Sequence, residues 1–227
     1  MNIIWLGHAS FRIEIEDAVL LVDPWIDTSP VFPADRRAEA LAGATHILLT
    51  HAHGDHATEA AALAAELGAP VACIYDLAQL LDGVEAIGFN KGGTVDLGGA
   101  QVTMVNAQHS STFSANGAGV PAGSEAGFMI AGEGHVIYLS GDTGIMADMG
   151  WMGEYFRPDI GILSAGGHFT MDMKAAAWAA KRFFDFKLVI PCHYRTFPLL
   201  EQSAEALVAG LPGVDVRAPD IMETVTV

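Results

Sequence analysis

His46-Ile47-Leu48-Leu49-Thr50-His51-Ala52-His53-Gly54-Asp55-His56 is an apolar run that stops abruptly in three histidines and an aspartate. Ile47, Leu48 and Leu49 form a continuous apolar stretch bounded by polar residues, the pattern of a strand buried on both faces. The segment after the cluster, Ala57 to Leu67, is alanine-rich, with Leu63 and Leu67 one helical turn apart and Gly68 closing it. The cluster therefore occupies a turn from the carboxyl end of a strand into a helix, where layered α/β domains place their sites. A lone histidine there would read as a hydrogen-bonded core residue, and a lone aspartate as a helix cap. Together, four nitrogen and oxygen donors at 51, 53, 55 and 56 call for metal. His51 and His53 point one way while Asp55 and His56 follow a glycine bend, so two ions suit them better than one.

The chain has 227 residues, enough for one large domain or two small, intimately packed ones with a sizeable core. No linker or internal repeat is evident, so residues 1–227 read as a single domain. Hydrophobic residues make up 51% and charged residues 17%, which excludes disorder and leaves apolar surface for a homo-oligomer. The net charge is −16, with 27 acidic against 11 basic residues, so a nucleic-acid partner is not favoured. An anionic substrate would have to be drawn in by local cations. Met1 to His8 carries neither a basic n-region nor a long apolar segment, so no signal peptide or membrane span is expected, and a cytoplasmic location is the default. Cys73 and Cys192 sit in apolar, strand-like contexts and read as reduced, buried thiols, although Cys192 beside His193 could also ligate.

Taken in order, Ile3–Leu6, Phe11–Ile15 and Val19–Val22 read as strands, the middle one alternating with period two. His8 falls in the first connection, as a turn residue or near the site. Asp23 before Pro24 either orients a ligand histidine or caps the turn. Residues 34–41 and 76–81 read as short helices, 71–74 as a buried strand, and 94–97 with 100–105 as a hairpin around Gly98-Gly99. The strand over 100–105 runs into Asn106-Ala107-Gln108-His109-Ser110, again closing an apolar strand with a histidine. Residues 110–125 are rich in Gly, Ser and Pro without periodicity, and are expected to be a loop that lines or covers a substrate pocket. A hairpin over 127–131 and 135–139, with His135 facing solvent, ends in Ser140-Gly141-Asp142-Thr143-Gly144. A helix over 145–156, a strand over 159–163 leading to His168, a helix over 174–184 and a strand over 188–192 before His193 follow. A helix over 201–211, a short strand over 213–217 and an edge strand over 222–227 complete the chain.

His-x-His-x-Asp-His at 51–56, followed by His109, Gly141-Asp142 and His193, resembles the metallo-β-lactamase-fold hydrolases over most of the chain. Within them, Leu6-Gly7-His8-Ala9-Ser10, Asp23-Pro24-Trp25, Gly141-Asp142-Thr143-Gly144 and Pro191-Cys192-His193-Tyr194 look most like the short bacterial metal-dependent hydrolases related to ascorbate-6-phosphate lactonase. The resemblance implies a four-layer αββα sandwich. It implies one ion on His51, His53 and His109, another on Asp55, His56 and His193, and Asp142 bridging them. Imidazole with carboxylate suits zinc or manganese, with iron ranked behind. Two ions about 3.5–4 Å apart would generate a bridging hydroxide to attack a small-molecule lactone, ester or phosphate-containing substrate. Asp55 would also orient that nucleophile. His168 is the candidate for substrate binding or leaving-group protonation, with a packing or turn role as the alternative. His8 and Ser110 are further substrate-binding candidates. The rival readings are a nuclease or phosphodiesterase, disfavoured by the acidic charge, and an iron-dependent redox protein, disfavoured because His53 stands where such proteins tend to carry glutamate. A catalytically idle scaffold is a third reading, which the complete ligand set argues against.

Overall fold

Alternating and apolar stretches at the amino terminus become three antiparallel strands, β1 (Asn2–Gly7), β2 (Ser10–Ile15) and β3 (Ala18–Val22), with Ile3 opposite Ile13 and Ile13 opposite Leu20. A 3-10 turn at Ala34–Arg36 and α1 (Arg37–Leu41) lead to β4 (His46–Leu48), which lies parallel to β3. The chain continues through α2 (Gly54–Ala57), α3 (Ala60–Leu67), β5 (Val71–Ile74), α4 (Tyr75–Ala78) and β6 (Ala86–Phe89). The second half begins with β7 (Thr94–Leu97) and β8 (Ala100–Asn106), then the small pair β9 (Thr112–Ala115) and β10 (Ala118–Pro121). It continues with β11 (Ala126–Gly132), β12 (His135–Leu139), α5 (Asp148–Phe156), β13 (Ile160–Ser164) and α6 (Met173–Phe183). The last elements are β14 (Leu188–Cys192), α7 (Glu205–Gly210), β15 (Asp215–Val216) and β16 (Thr224–Thr226). This computed structural model describes residues 1–115 and 118–227.

The strands form two seven-stranded sheets, ordered β16-β1-β2-β3-β4-β5-β6 and β15-β14-β13-β12-β11-β8-β7. Phe11, Leu20 and Ile47 of the first sheet and Phe128, Ile137 and Ile162 of the second belong to one continuous apolar core. Helix α3 packs on β4 and β5, and α6 on β13, giving the αββα arrangement. The parallel strands β5, β13 and β14 are buried along their length, and β4 from Ile47 onward, as central strands under helices must be. The final strand closes the first sheet by pairing with β1, Ile3 opposite Val225, and so brings the two chain termini together.

Several expectations change in the structure. Residues 110–125 are not an aperiodic loop: β9 and β10 pair antiparallel, Phe113 opposite Val120, because cross-strand pairing supplies the order that a four-residue strand shows too weakly in sequence. Asn116 and Gly117 lie outside the described residues. The helix after the motif is two segments, interrupted where the Glu59 carboxylate turns to accept the backbone N–H groups of Ile26, Asp27 and Thr28. Strand β6 was not expected. Helix α7 starts at Glu205 rather than near 201, since the Glu201 N–H is taken by the Gly166 carbonyl and the Gln202 amide caps Phe197 and Leu200 carbonyls. His135 does not simply face solvent: it is half-buried, with Nδ1 2.8 Å from an Asp159 carboxylate oxygen.

Candidate metal centre

Strand ends position every member of the site. From the first sheet come His8 after β1, Asp23 after β3, and the 51–56 turn after β4; from the second come His109 after β8, Asp142 after β12 and His193 after β14. Backbone requirements help to fix these ends. Gly141 has φ +59°, and a Cβ there would meet the Ala126 carbonyl oxygen at 2.3 Å, so the turn delivering Asp142 has room for glycine alone. His8 and His193 both adopt left-handed backbone, at φ 50° and 58°, tied together by the His193 N–H donating to the His8 carbonyl at 2.8 Å. The Trp5 indole donates to that same carbonyl at 2.9 Å.

The seven expected ligand residues converge. The ligand atoms of His51, His53 and His109 lie within 4.8 Å of one another, and so do those of Asp55, His56 and His193 together with His8. Between the groups stands Asp142, buried, whose Oδ2 is 3.1 Å from His193 Nε2, 3.5 Å from His56 Nε2 and 3.7 Å from His109 Nε2. Asp55 is partly open to solvent, and Ser110 Oγ lies 3.3 Å from His53 Nε2 on the accessible side. His168 is exposed and stacks edge-on with Phe169 at 4.6 Å, outside the cluster of ligand atoms.

Behind the cluster, Asp23 settles which ring nitrogens face inward. Its Oδ1 accepts the Thr50 N–H at 2.8 Å, and its Oδ2 accepts the Thr50 hydroxyl at 2.6 Å and His56 Nδ1–H at 2.8 Å. With its hydrogen given to Asp23, the Thr50 oxygen accepts His51 Nδ1–H at 2.9 Å. The His51 ring is thereby held with Nε2 unprotonated and turned into the site, and His56, its Nδ1–H engaged, is held with Nε2 as the nitrogen that faces inward. Asp23, His51 and His56 also lie close enough to suggest a third ion group, but these hydrogen bonds already engage their facing atoms. Asp23 therefore does both things the sequence allowed, anchoring the turn and orienting a histidine.

Charge follows burial and neighbours. Burial lowers the pKa of His51, and likewise of the half-buried His53 and His109, so these rings are neutral donors at neutral pH. Burial would also discharge His56, but Asp142 and Asp23 beside it hold its pKa well above the ordinary value. Burial would raise the Asp142 carboxyl, yet His193 and His56 keep it well below the carboxylate range. His8 is pushed down to about 4, chiefly by burial, against the opposing pull of its hydrogen bond to Asp55. Burial likewise raises Asp55, but that bond and the nearby His56 outweigh it and leave the carboxyl well below its usual range. Neutral His8 thus donates Nε2–H to Asp55 Oδ2 at 2.9 Å, with Nδ1 2.8 Å from Thr196 Oγ1. Both of its ring nitrogens are engaged and the ring is fully buried, which leaves no free atom for the substrate contact expected of it.

A family profile described as a Beta-lactamase superfamily domain matches residues 19–194. The UPF0173 metal-dependent hydrolase of Cereibacter sphaeroides strain ATCC 17025 is 68% identical, with 100% of both chains covered, and that of Paracoccus denitrificans is 66% identical over 99% of each. The chain belongs to the UPF0173 family of the beta-lactamase superfamily. Among solved structures, Igni18, a metallo hydrolase from the archaeon Ignicoccus hospitalis, matches 99% of this chain and 97% of its own at 30% identity and a TM-score of 0.85. An isothiocyanate hydrolase from Delia radicum gut bacteria shares the fold at 17% identity, with a TM-score of 0.74 over 100% of this chain and 99% of that one.

For this UPF0173 member, sequence reasoning passed over Thr50, Glu59, Thr196 and Glu125. Glu125 accepts the backbone N–H of His109 at 2.9 Å. Thr50 adjoins the motif and could have been found by asking what holds His51. Nothing local marks Thr196 or Glu59, whose partners lie far away in sequence. Among the described residues, no helix is long and apolar enough to cross a membrane.

Proposed function

We propose that this metal-dependent hydrolase works with two divalent ions, zinc or manganese ahead of iron, to cleave a small-molecule lactone, ester or phosphate-containing substrate. The observation that carries the reading is the position of Asp142 Oδ2, 3.1–3.7 Å from three Nε2 atoms that belong to two separate ligand groups. The residues fit cations: His56 Nε2 and Asp142 Oδ1 are buried without a hydrogen-bond partner, and the donor set is imidazole and carboxylate with no thiolate turned inward. His51, His53 and His109 would hold one ion, Asp55, His56 and His193 the other, and Asp142 both. When bound, such ions acidify a water and polarise the bond under attack.

The chain's own contribution is orientation. Asp23 and Thr50 keep the Nε2 lone pairs of His51 and His56 aimed into the site, and His8 holds Asp55 ionised by donating to Oδ2. Asp55, on the open side, can then align an attacking water by accepting its hydrogen. Exposed His168, beside Phe169, would donate a proton to a leaving group that extends towards solvent, and Ser110 would hydrogen-bond a substrate beside His53.

The test is elemental analysis of the purified chain together with a panel of lactones, simple esters and phosphodiesters. About two zinc or manganese ions per chain are expected, with hydrolysis abolished by chelation, restored by either metal and strongly reduced in Asp142→Ala. Hydrolysis that survives both chelation and Asp142→Ala would remove the mechanism.

A further inference from the structure

Beyond the reacting bond, the walls on the Asp55 and His193 side carry information about the rest of the substrate. Trp25 and Phe197 stand edge-on to the His8 ring, at 5.3 and 5.8 Å, and 6.1 Å from each other. Phe169 lies 6.4 Å from the His193 ring and is 52% exposed. A large ring left in water beside a polar cluster is surface that a ligand can cover. The residue before it, His168, lines a cavity of about 610 Å³ together with Gly166, Leu199, Glu201 and Gln202 among others. Gly166 in that wall packs directly on His193.

That cavity offers an anion no fixed positive charge. The cavity lining contains one carboxylate, Glu201, and neither lysine nor arginine. Among the described residues, no ion pair joins a lysine or arginine to Asp55, Asp142 or Asp23. Cations elsewhere in the chain are already engaged: Arg37 with Asp27 and Glu66, Lys91 with Asn106, and Arg195 over the Trp5 and Tyr194 rings near Asp220. A phosphate on the non-reacting part of a substrate would be desolvated next to Glu201, in a chain of net charge −16, with no guanidinium or ammonium to receive it.

We propose that the site takes uncharged esters and lactones that bear an aryl or similarly large apolar group, that group lying against Phe169, Trp25 and Phe197, rather than substrates carrying a remote phosphate. This rests on the hydrolase reading above. In the reaction, water adds to the carbonyl carbon, the acyl C–O bond breaks and the departing oxygen takes up a proton. An acid and an alcohol result, with no oxidant or reductant involved.

The full chain, loaded with zinc or manganese, is assayed with phenyl acetate, its 4-sulfonate derivative, ethyl acetate and phenyl phosphate. Phenyl acetate is expected to have the lowest KM, and Phe169→Ala and Trp25→Ala each to raise that KM about tenfold while leaving the KM for ethyl acetate nearly unchanged. Equal KM values for phenyl acetate and its sulfonate, a higher kcat/KM for phenyl phosphate, or variants that raise both ester KM values alike would overturn the inference. Binding of benzyl alcohol and benzenesulfonate to the loaded chain, read by tryptophan fluorescence, separates the two levels of the argument. If no ester or phosphate turns over, the hydrolase reading falls. The apolar wall then stands only if benzyl alcohol binds more tightly than benzenesulfonate and Phe169→Ala abolishes the difference.

Discussion

Replacing Asp23 tests whether the carboxylate behind the site, rather than the ligands alone, prepares it. Asp23 is 1% exposed and accepts three hydrogen bonds, from Thr50 N, Thr50 Oγ1 and His56 Nδ1. In Asp23→Ala three buried donors lose their partner, each at about 1–3 kcal/mol, although water entering the vacated space recovers part of the loss. Removing one member of a buried charged network costs about 3–5 kcal/mol, and this is the destabilisation expected for the metal-free chain. For a chain of this size it corresponds to a fall in Tm of roughly 6–20 °C. Asp23→Asn is the sharper variant, because asparagine tolerates the left-handed backbone at this position, φ 43°. It keeps an acceptor for Thr50 but sets an NH2 group against a donor, so His56 and His51 lose the tautomers that present Nε2. Zinc affinity should then fall about 10–100-fold. Thermal melts of stripped and reloaded protein give the stability, and competition with a chromophoric chelator gives the affinity. An Asp23→Asn protein that binds zinc within about twofold of the parent would refute the reasoning.

Three further outcomes follow from the same geometry. In the metal-free chain His56 is held protonated between Asp142 and Asp23, so its contribution to stability is complete below the ordinary histidine value of 6.5 and is lost as pH rises through its raised pKa. A metal on Nε2 must displace that proton, so affinity should increase with pH around neutrality, and calorimetry in two buffers of different ionisation enthalpy should register proton release on loading. A Cβ on Gly166 would meet the His193 carbonyl oxygen at 1.8 Å, and one on Gly153, in α5, the Phe183 carbonyl oxygen at 1.9 Å. Both alanine variants should therefore lose about 1–3 kcal/mol in chemical denaturation. Only Gly166→Ala should also lower metal content, which elemental analysis measures. Cys73 and Cys192 are buried free thiols, that of Cys73 pushed up to about 12 by burial, so a thiol reagent should label neither in the native chain and both after unfolding.

Much of the site could be read from residue order alone because its ligands sit where apolar strands stop. The change from Ile47-Leu48-Leu49 to His51 and from Tyr138-Leu139 to Asp142 marks a strand end with a donor on it, and strand ends at one edge of a layered sheet are neighbours in space. The same logic identified most strands of both sheets, whose alternating or fully apolar patterns record burial directly. Weak segments escaped it. The hairpin β9–β10 and the strand β6 are short and only half-buried or exposed for most of their length, so their pairing, not their composition, makes them strands.

The linear order of this chain was enough to decide that its imidazole and carboxylate donors end up together, since each donor is fixed to its own strand by local burial. Their protonation and their surroundings were decided only when distant parts met. Asp23 reaches His56 across 33 residues, His8 lies between Asp55 and Thr196, and Phe169 and Trp25 come to flank the rings of His193 and His8. Hydrogen-bond direction and the side of a ring left open are properties of three-dimensional contact at about 3 Å, which spacing along a chain does not encode.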